Sequence, residues 1–332
     1  MLGKKIGVDL GTATSRLHMR GDGSLVSEPS VIAVDVPTGR VLTIGVAAQQ
    51  MSDRDGIALR HPLRDGEISD RTAAEAMLGG LVNRACGRQR IFRPDVMVSV
   101  SASLPGSDRR FLLDVASRSG ARTAYLIDSP LAAALGAGLA VSAGTGRLIV
   151  DVGAGTIEAA VIAAEGMVAW RVSKRGTARL TAEIAGYVGG VHDVDVDMRE
   201  AEELKREIGS ATRLAEERTL RIPARRDGEP VDVVVSSVEV HAAVVPWLRD
   251  VTALLTEVLD ESPSRLARDV RQRTGLTLTG GGAALRGLER HLAAALRLPV
   301  VVAGDPASCA ARGAGAALEN LDVLRRTFLY VR

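Results

Sequence analysis

At 332 residues the chain exceeds a single hydrophobic core and suits two domains. Apolar residues at 46% and charged residues at 25% are ordinary for a soluble globular protein, and a net charge of +2 gives no electrostatic reason to expect a nucleic-acid partner. Cys86 and Cys309 match no metal or disulfide spacing, no apolar run approaches the roughly 20 residues of a membrane span, and Met1 to Lys5 runs straight into a strand with no room for a signal peptide. These features lead us to expect a cytoplasmic protein. Arginine outnumbers lysine 38 to 4, so each lysine is a sharper signal than usual, and with only eight aromatic residues the core must be built from Val, Leu, Ile and Ala.

The first element, Lys4 to Ser15, is an apolar run ending in Asp9, then a turn holding Gly11 and Thr12, then a second β-prone run. Ser30 to Val34 reads as a third strand. Asp35 to Glu67, rich in Gly, Pro, Asp and Arg, reads as a small insertion. Ala74, Met77, Leu78, Leu81 and Val82 carry helical spacing over Arg71 to Ala85. A strand over Asp95 to Val100, a helix over Asp108 to Ser119 and a strand over Ala124 to Ile127 follow. Pro130 then sits in the first turn of an Ala-rich helix ending near Leu139, where its missing N–H costs nothing.

The second half repeats the scheme. Arg147 to Glu158 is again an apolar run with an Asp, here Asp151, a turn of Gly153, Ala154, Gly155 and Thr156, and a second β-prone run. It opens three strands reaching Val172, with a turn at Glu165 and Gly166. Helices are expected over Arg179 to Tyr187 and Arg199 to Thr212, and a two-stranded piece over Arg218 to Val235 around Asp227 and Gly228. Ser236 and Glu239 form a capping-box pattern opening a helix to Leu259. A strand over Leu276 to Thr279, a helix from Ala284 to Leu296, a strand over Pro299 to Val302 and a helix from Ala307 to Asn320 complete the pattern. The tail from Leu321 to Arg332 is expected to dock on the body. Alternation of strands and helices in both halves indicates two α/β domains with small insertions, bounded at 1–140 and 141–332, with insertions near 35–67 and 188–240.

The two Asp-Gly hairpins carry the chemistry. Glycine lets backbone approach a ligand closely, successive N–H groups suit phosphate oxygens, and an Asp at the strand end offers a hard oxygen ligand for Mg²⁺. A Gly hairpin alone is more often a structural turn. Two at half-chain spacing point to a duplicated fold closing on one triphosphate.

Five segments in order carry a resemblance: the two hairpins, Asp128 to Pro130, Glu202 to Lys205, and Leu278 to Ala283. Together they resemble the actin, heat-shock chaperone and sugar-kinase ATPase superfamily, and within it most closely the MreB/Mbl bacterial actins. Further similar stretches run over Glu28 to Ala33, Arg60 to Gly66, Pro130 to Leu139 and Glu207 to Ala211, so the resemblance covers almost the whole chain. It implies an actin-like ATPase fold of two duplicated RNase H-like α/β domains.

The resemblance further implies ATP with Mg²⁺ as cofactors. Gly11, Thr12, Ala13, Thr14 and Ser15, and Gly153, Ala154, Gly155 and Thr156, would be the two phosphate loops, with Thr156 beside the γ-phosphate. Asp9 and Asp151 would hold Mg²⁺ and its water. The Glu202, Glu203, Leu204, Lys205 segment would clasp the adenosine, with Glu202 and Lys205 one helical turn apart. Gly280, Gly281, Gly282 and Ala283 would lie against the nucleotide. It also implies a head-to-tail homopolymer filament on the inner face of the cell membrane, with cell-wall synthesis and shape proteins as partners. Ile91 and Phe92, flanked by Arg88, Arg90 and Arg93, are the candidate membrane contact; the alternative is that they staple the preceding helix to the core.

Four positions depart from the MreB pattern: Ser129 where Glu is usual, Thr14 for Asn, Ala154 for Gly, and Gly176-Thr177-Ala178 for Gly-Gly-Asp. The hydroxyl of Ser129 hydrogen-bonds water but does not accept its proton near neutral pH. Retained ATP binding with slow hydrolysis follows as the expectation. Two other classes stay open at this point: a sugar or small-acid kinase of the same fold, and a non-polymerising paralogue.

Overall fold

The computed structural model describes residues 4–21, 23–86, 93–141, 144–164, 166–319, 321 and 329–331. In chain order, β1 (Lys5–Asp9), β2 (Thr14–Arg20) and β3 (Leu25–Pro29) form an antiparallel meander. The strand expected over Ser30 to Val34 is β4 (Ile32–Asp35), which leaves the meander and pairs instead with β5 (Val41–Ile44) and β6 (Ile57–Arg60) from the expected insertion in a separate three-stranded sheet, with the short helix α1 (Val46–Gln49) between β5 and β6. A tight hairpin of β7 (Leu63–Arg64) and β8 (Glu67–Ile68) turns through Asp65 and Gly66, both at positive φ. Then come α2 (Arg71–Cys86), β9 (Asp95–Val100), α3 (Gly106–Arg118), β10 (Thr123–Asp128) and α4 (Ser129–Gly136).

The second half opens with β11 (Arg147–Val152), β12 (Ile157–Ala163) and β13 (Gly166–Ser173), again a meander. Next are α5 (Thr177–His192), α6 (Met198–Glu207), the hairpin β14 (Thr219–Arg226) and β15 (Glu229–Ser236), and α7 (Ser237–Glu261). The capping box read from the sequence is formed, with Ser236 Oγ accepting the Glu239 N–H and the Glu239 carboxylate accepting the Ser236 N–H. The chain ends with α8 (Ser264–Asp269), β16 (Leu276–Thr279), α9 (Leu288–Leu296), β17 (Val300–Val302), α10 (Cys309–Ala317) and β18 (Leu329–Val331).

Both large sheets share one topology. β1 pairs antiparallel with β2 and parallel with β9, and β9 pairs parallel with β10. Likewise β11 pairs antiparallel with β12 and parallel with β16, and β16 pairs parallel with β17. The duplication seen in the hairpins is therefore a duplication of whole sheets. The tail docks through β18, which adds antiparallel to β10 at the sheet edge.

Helices α4 and α10 join the halves. Their cluster of Ile127, Leu131, Ala133, Ile149, Ile162, Cys309 and Ala314 draws on both sheets. Small residues make the crossing close: a Cβ on Gly136 would lie 1.9 Å from the Cys309 carbonyl oxygen, and one on Gly313 would lie 1.7 Å from that of Ala132. The first half has a second core around Met77, Leu81 and Leu112, and the second half one around the fully buried Trp247.

Most expected helices shift at their ends, α5 for instance running on to His192, and three differ in a way the packing shows. The helix expected to reach Thr212 stops at Glu207, where the Ile208 and Gly209 N–H groups both donate to the Leu204 carbonyl and the chain turns so tightly that a Cβ on Gly209 would be 2.3 Å from the Lys205 carbonyl oxygen. The helix expected from Ala284 is a 3₁₀ turn over Gly281–Ala284, then a break at Gly287 (φ 70°), then α9. The final helix starts two residues later than expected, at Cys309, behind a short 3₁₀ turn at Pro306–Ser308. The proposed membrane pair Ile91 and Phe92, and Glu165 of the expected turn, lie outside the described residues.

Candidate functional site

The two hairpins face each other across a single cleft of about 690 Å³ between the halves. A Cβ on Gly155 of the second turn would sit 2.3 Å from Thr12 Oγ1 of the first, and 3.1 Å from the Asp65 nitrogen. Glycine at 155 is thus what lets three backbone segments converge. The first turn is braced from behind: Ser30 Oγ donates to the Gly11 carbonyl at 2.6 Å, and the Ser30 N–H to Ala13 at 3.0 Å. The second turn is braced by α5, whose first turn donates backbone N–H groups from Thr177 to Gly153 and from Ala178 to Ala154.

Of the residues expected at the site, Asp9, Gly11, Thr12, Ala13, Thr14, Ser129, Asp151, Gly153, Ala154, Gly155, Thr156, Glu202, Lys205, Gly280, Gly281 and Gly282 line the cleft. Four others do not. Ser15 is fully buried and its hydroxyl is spent on Ser30 at 2.7 Å. Leu204 packs into the core beside Ala201, Glu203 faces solvent, and Ala283 is buried behind its glycines. Among those glycines, a Cβ on Gly280 would lie 2.4 Å from the Val152 carbonyl oxygen and one on Gly282 2.3 Å from the Val152 side chain. Gly281 alone faces open space. Two of the three are therefore required by packing, and one bares backbone to the cleft.

Asp9 is the last residue of β1 and Asp151 the last but one of the equivalent strand β11. Burial, and secondarily the charge of Asp151, pushes Asp9 up to about 7, against the opposing pull of Arg16. Burial likewise raises Asp151 to about 6, held back by a hydrogen bond from Thr279 Oγ1 (3.1 Å) and by Arg16. Two such carboxylates are hard oxygen donors of the kind Mg²⁺ takes from protein, one or two at a time, with the rest of its shell from phosphate and water. Among the described residues no group of three or more His, Cys, Asp or Glu stands ready to hold a metal. A divalent cation here would take the rest of its shell from phosphate or water oxygens.

At the opposite end, Lys205 Nζ donates to Glu202, to Thr181 Oγ1 at 2.8 Å and to the Thr177 carbonyl at 3.4 Å. Burial alone would raise Glu202, but hydrogen bonds from Lys205 and Arg206 outweigh it and hold the carboxyl below its ordinary value. The rare lysine thus belongs to an ordered cluster on α5 and α6. Ser129 opens α4, buried, with its Oγ 3.0 Å from Ser99 Oγ. The neighbouring Asp128 is ion-paired to Arg109 at 2.6 Å, so it stands apart as a water base; Arg109 also holds the 101–104 loop through the carbonyls of Ser101, Ala102 and Leu104.

Three contributors were missed in the sequence. Glu158, only 2% exposed, is the strand partner of Asp151; its carboxylate accepts the Ala102 N–H at 3.0 Å and the Thr156 hydroxyl at 3.2 Å. Burial raises it to about 7. It therefore ties the first half to the second turn. Its signal was readable: it is the lone charge in the fully buried strand β12. Arg16 also lines the cleft, as the strand partner of Asp9. The third is the β7–β8 hairpin, whose Gly66 meets Thr156 and whose Glu67 is bridged to Lys174 at 2.6 Å.

The chain matches the family model for MreB/Mbl protein over residues 3–326. It is 36% identical to the cell shape-determining protein MreB of Escherichia coli K12, covering 97% of this chain and 95% of that protein. It is 33% identical to the cell shape-determining protein Mbl of Bacillus cereus, over 99% of this chain and all of that one. Among solved structures, MreB5 of Spiroplasma citri bound to AMPPNP superposes with a TM-score of 0.90 at 28% identity, covering 98% of this chain and 99% of that one. The MamK double helical filament shares the fold at a TM-score of 0.80 and 21% identity, covering 95% and 98%. With the sheets, the facing hairpins and these likenesses in agreement, the chain belongs to the MreB/Mbl family of actin-like cell shape-determining proteins.

Proposed function

We propose that this protein binds ATP with Mg²⁺ in the cleft, hydrolyses it slowly, and assembles head-to-tail into filaments on the inner face of the cell membrane that organise cell-wall synthesis. The convergence of two Asp-Gly hairpins from duplicated sheets on one cleft carries the reading. The relative MreB5 has been solved with AMPPNP and with ADP, which supports a nucleotide as the occupant. MamK, sharing the fold, has been solved as a filament, which supports self-association without closure.

Asp9 and Asp151 would hold Mg²⁺, which on binding neutralises phosphate charge. The turns at Gly11 to Thr14 and Gly153 to Thr156 would surround the phosphates with backbone N–H groups, and Glu202 and Lys205 would orient the adenosine. Ser129 occupies the place of the water-activating carboxylate with a hydroxyl already engaged by Ser99. By general-base magnitudes, hydrolysis falls on the order of 10²–10⁴-fold below that of a Glu-bearing relative. Phosphate release measured beside Ser129→Glu tests this, and equal fast rates in both would refute it. Electron microscopy with ATP on a lipid monolayer tests assembly. Particles that stay monomeric while binding ATP would favour the non-polymerising paralogue, a reading supported by Ser129, Ala154 and Ala178 near the phosphate end. For the membrane contact, Ile91→Ser with Phe92→Ser should lower liposome pelleting, and unchanged pelleting would leave the pair as core residues.

A further inference from the structure

Four basic side chains line the cleft: Arg16, Lys205, Arg206 and Arg286. Three are occupied. Lys205 and Arg206 pair with Glu202, and Arg286 donates to the Glu207 carbonyl at 2.8 Å. The Arg16 guanidinium has no hydrogen-bond or ion-pair partner among the described residues, and the residue is partly exposed. A cation that lines the cleft and is not spent on a partner of its own is available to an anionic occupant.

Its position says which anion. β1 and β2 pair in a register that sets Arg16 opposite Asp9. The equivalent pair in the second half is Asp151 opposite Glu158. The two hairpins are thus alike down to the residue facing each Asp, yet one carries a cation and the other an anion. Arg16 and both carboxylates, Asp9 and Asp151, line the same cleft, and the charge of Arg16 lowers both. A guanidinium there has the planar, multiple-donor geometry that suits phosphate oxygens.

We propose that Arg16 is a polyphosphate-binding residue of this cleft, a standing cation that neutralises phosphate charge beside a divalent metal and also in its absence. This rests on the nucleotide reading above. It predicts binding of ATP and ADP that survives metal removal, and it assigns to one side chain part of the hold that Thr14 and Ala154 supply differently from the family pattern.

The test is binding by titration calorimetry of ATP, ADP and adenosine to the full chain and to Arg16→Leu and Arg16→Lys, each in EDTA and in Mg²⁺. Arg16→Leu should weaken ATP and ADP about 10- to 100-fold in EDTA and less in Mg²⁺, leave adenosine unchanged, and be partly rescued in Arg16→Lys. Unchanged ATP affinity in EDTA overturns the proposal, as does an equal loss for adenosine, which marks a packing role. No binding of any of the three ligands by the parent chain would instead refute the nucleotide reading and the inference with it.

Discussion

Glu158→Gln isolates the most deeply buried carboxylate of the site. Taking a carboxyl from 4.5 to about 7 by burial corresponds to a ceiling of ~3 kcal/mol at pH values above both. The direction follows from proton binding. Below pH 4.5 both folded and unfolded chains hold the proton and nothing is lost. Between 4.5 and about 7 the unfolded chain has released it while the folded chain retains it, so stability falls as pH rises and is lowest above 7. The glutamine variant has no such term. Its carbonyl still accepts the Ala102 N–H, and the Thr156 hydroxyl turns from donor to acceptor. Some of the gain is forfeited in that rearrangement, leaving about 1–3 kcal/mol in favour of the variant at pH 8. Urea unfolding of nucleotide-free protein from pH 4.5 to 8 measures it. The parent should lose stability relative to the variant across this range, the gap opening towards pH 8. Asp9 and Asp151, present in both proteins, largely cancel. Parallel profiles would refute the reasoning.

Two glycines give sharper structural tests. At Gly66, φ of 77° and a Cβ 2.6 Å from Thr156 Cγ2 mean that Gly66→Ala must push the β7–β8 turn off the second hairpin. A loss of about 1–3 kcal/mol in chemical denaturation is expected, and an unchanged midpoint would contradict the contact. Gly313→Ala places a methyl 1.7 Å from the Ala132 carbonyl, backbone that cannot yield without parting α4 from α10. It should cost at least about 3 kcal/mol or leave the protein insoluble, as judged by soluble yield and thermal melting.

Much of this molecule was legible because its signals are local. β9 and β16 fall where apolar runs bounded by turn residues put them, and Ser236 with Glu239 announced α7. Helix ends were less legible where tertiary packing sets them. α6 ends in a tight turn that only glycine at 209 fits, and α8, six residues with no buried side chain, offers no periodic face to read. At the site, residue types with stereotyped chemistry stood out. Arg16 and Glu158 did not, because a charged residue seven positions after an Asp means little until strand register sets the two on one face. In β12 the clue was present all the same, as a lone Glu in an otherwise apolar strand.

That register also explains why one duplicated fold makes an asymmetric site. Each half presents an Asp at a strand end and, opposite it, a side chain aimed the same way. Had both partners been anionic, four carboxylates would face one another and repel a phosphate. Had both been cationic, the Asp pair would be neutralised and lost to a metal. With Arg16 in one half and Glu158 in the other, the cation stays free to meet a ligand. The anion is turned inward to Ala102 and Thr156, where it ties the halves together. The cleft thus gains charge for binding from one copy and closure from the other, and neither supplies a strong base near Ser129. If the cleft holds a nucleotide as proposed, the same asymmetry would favour holding it and leave any hydrolysis to positioning alone.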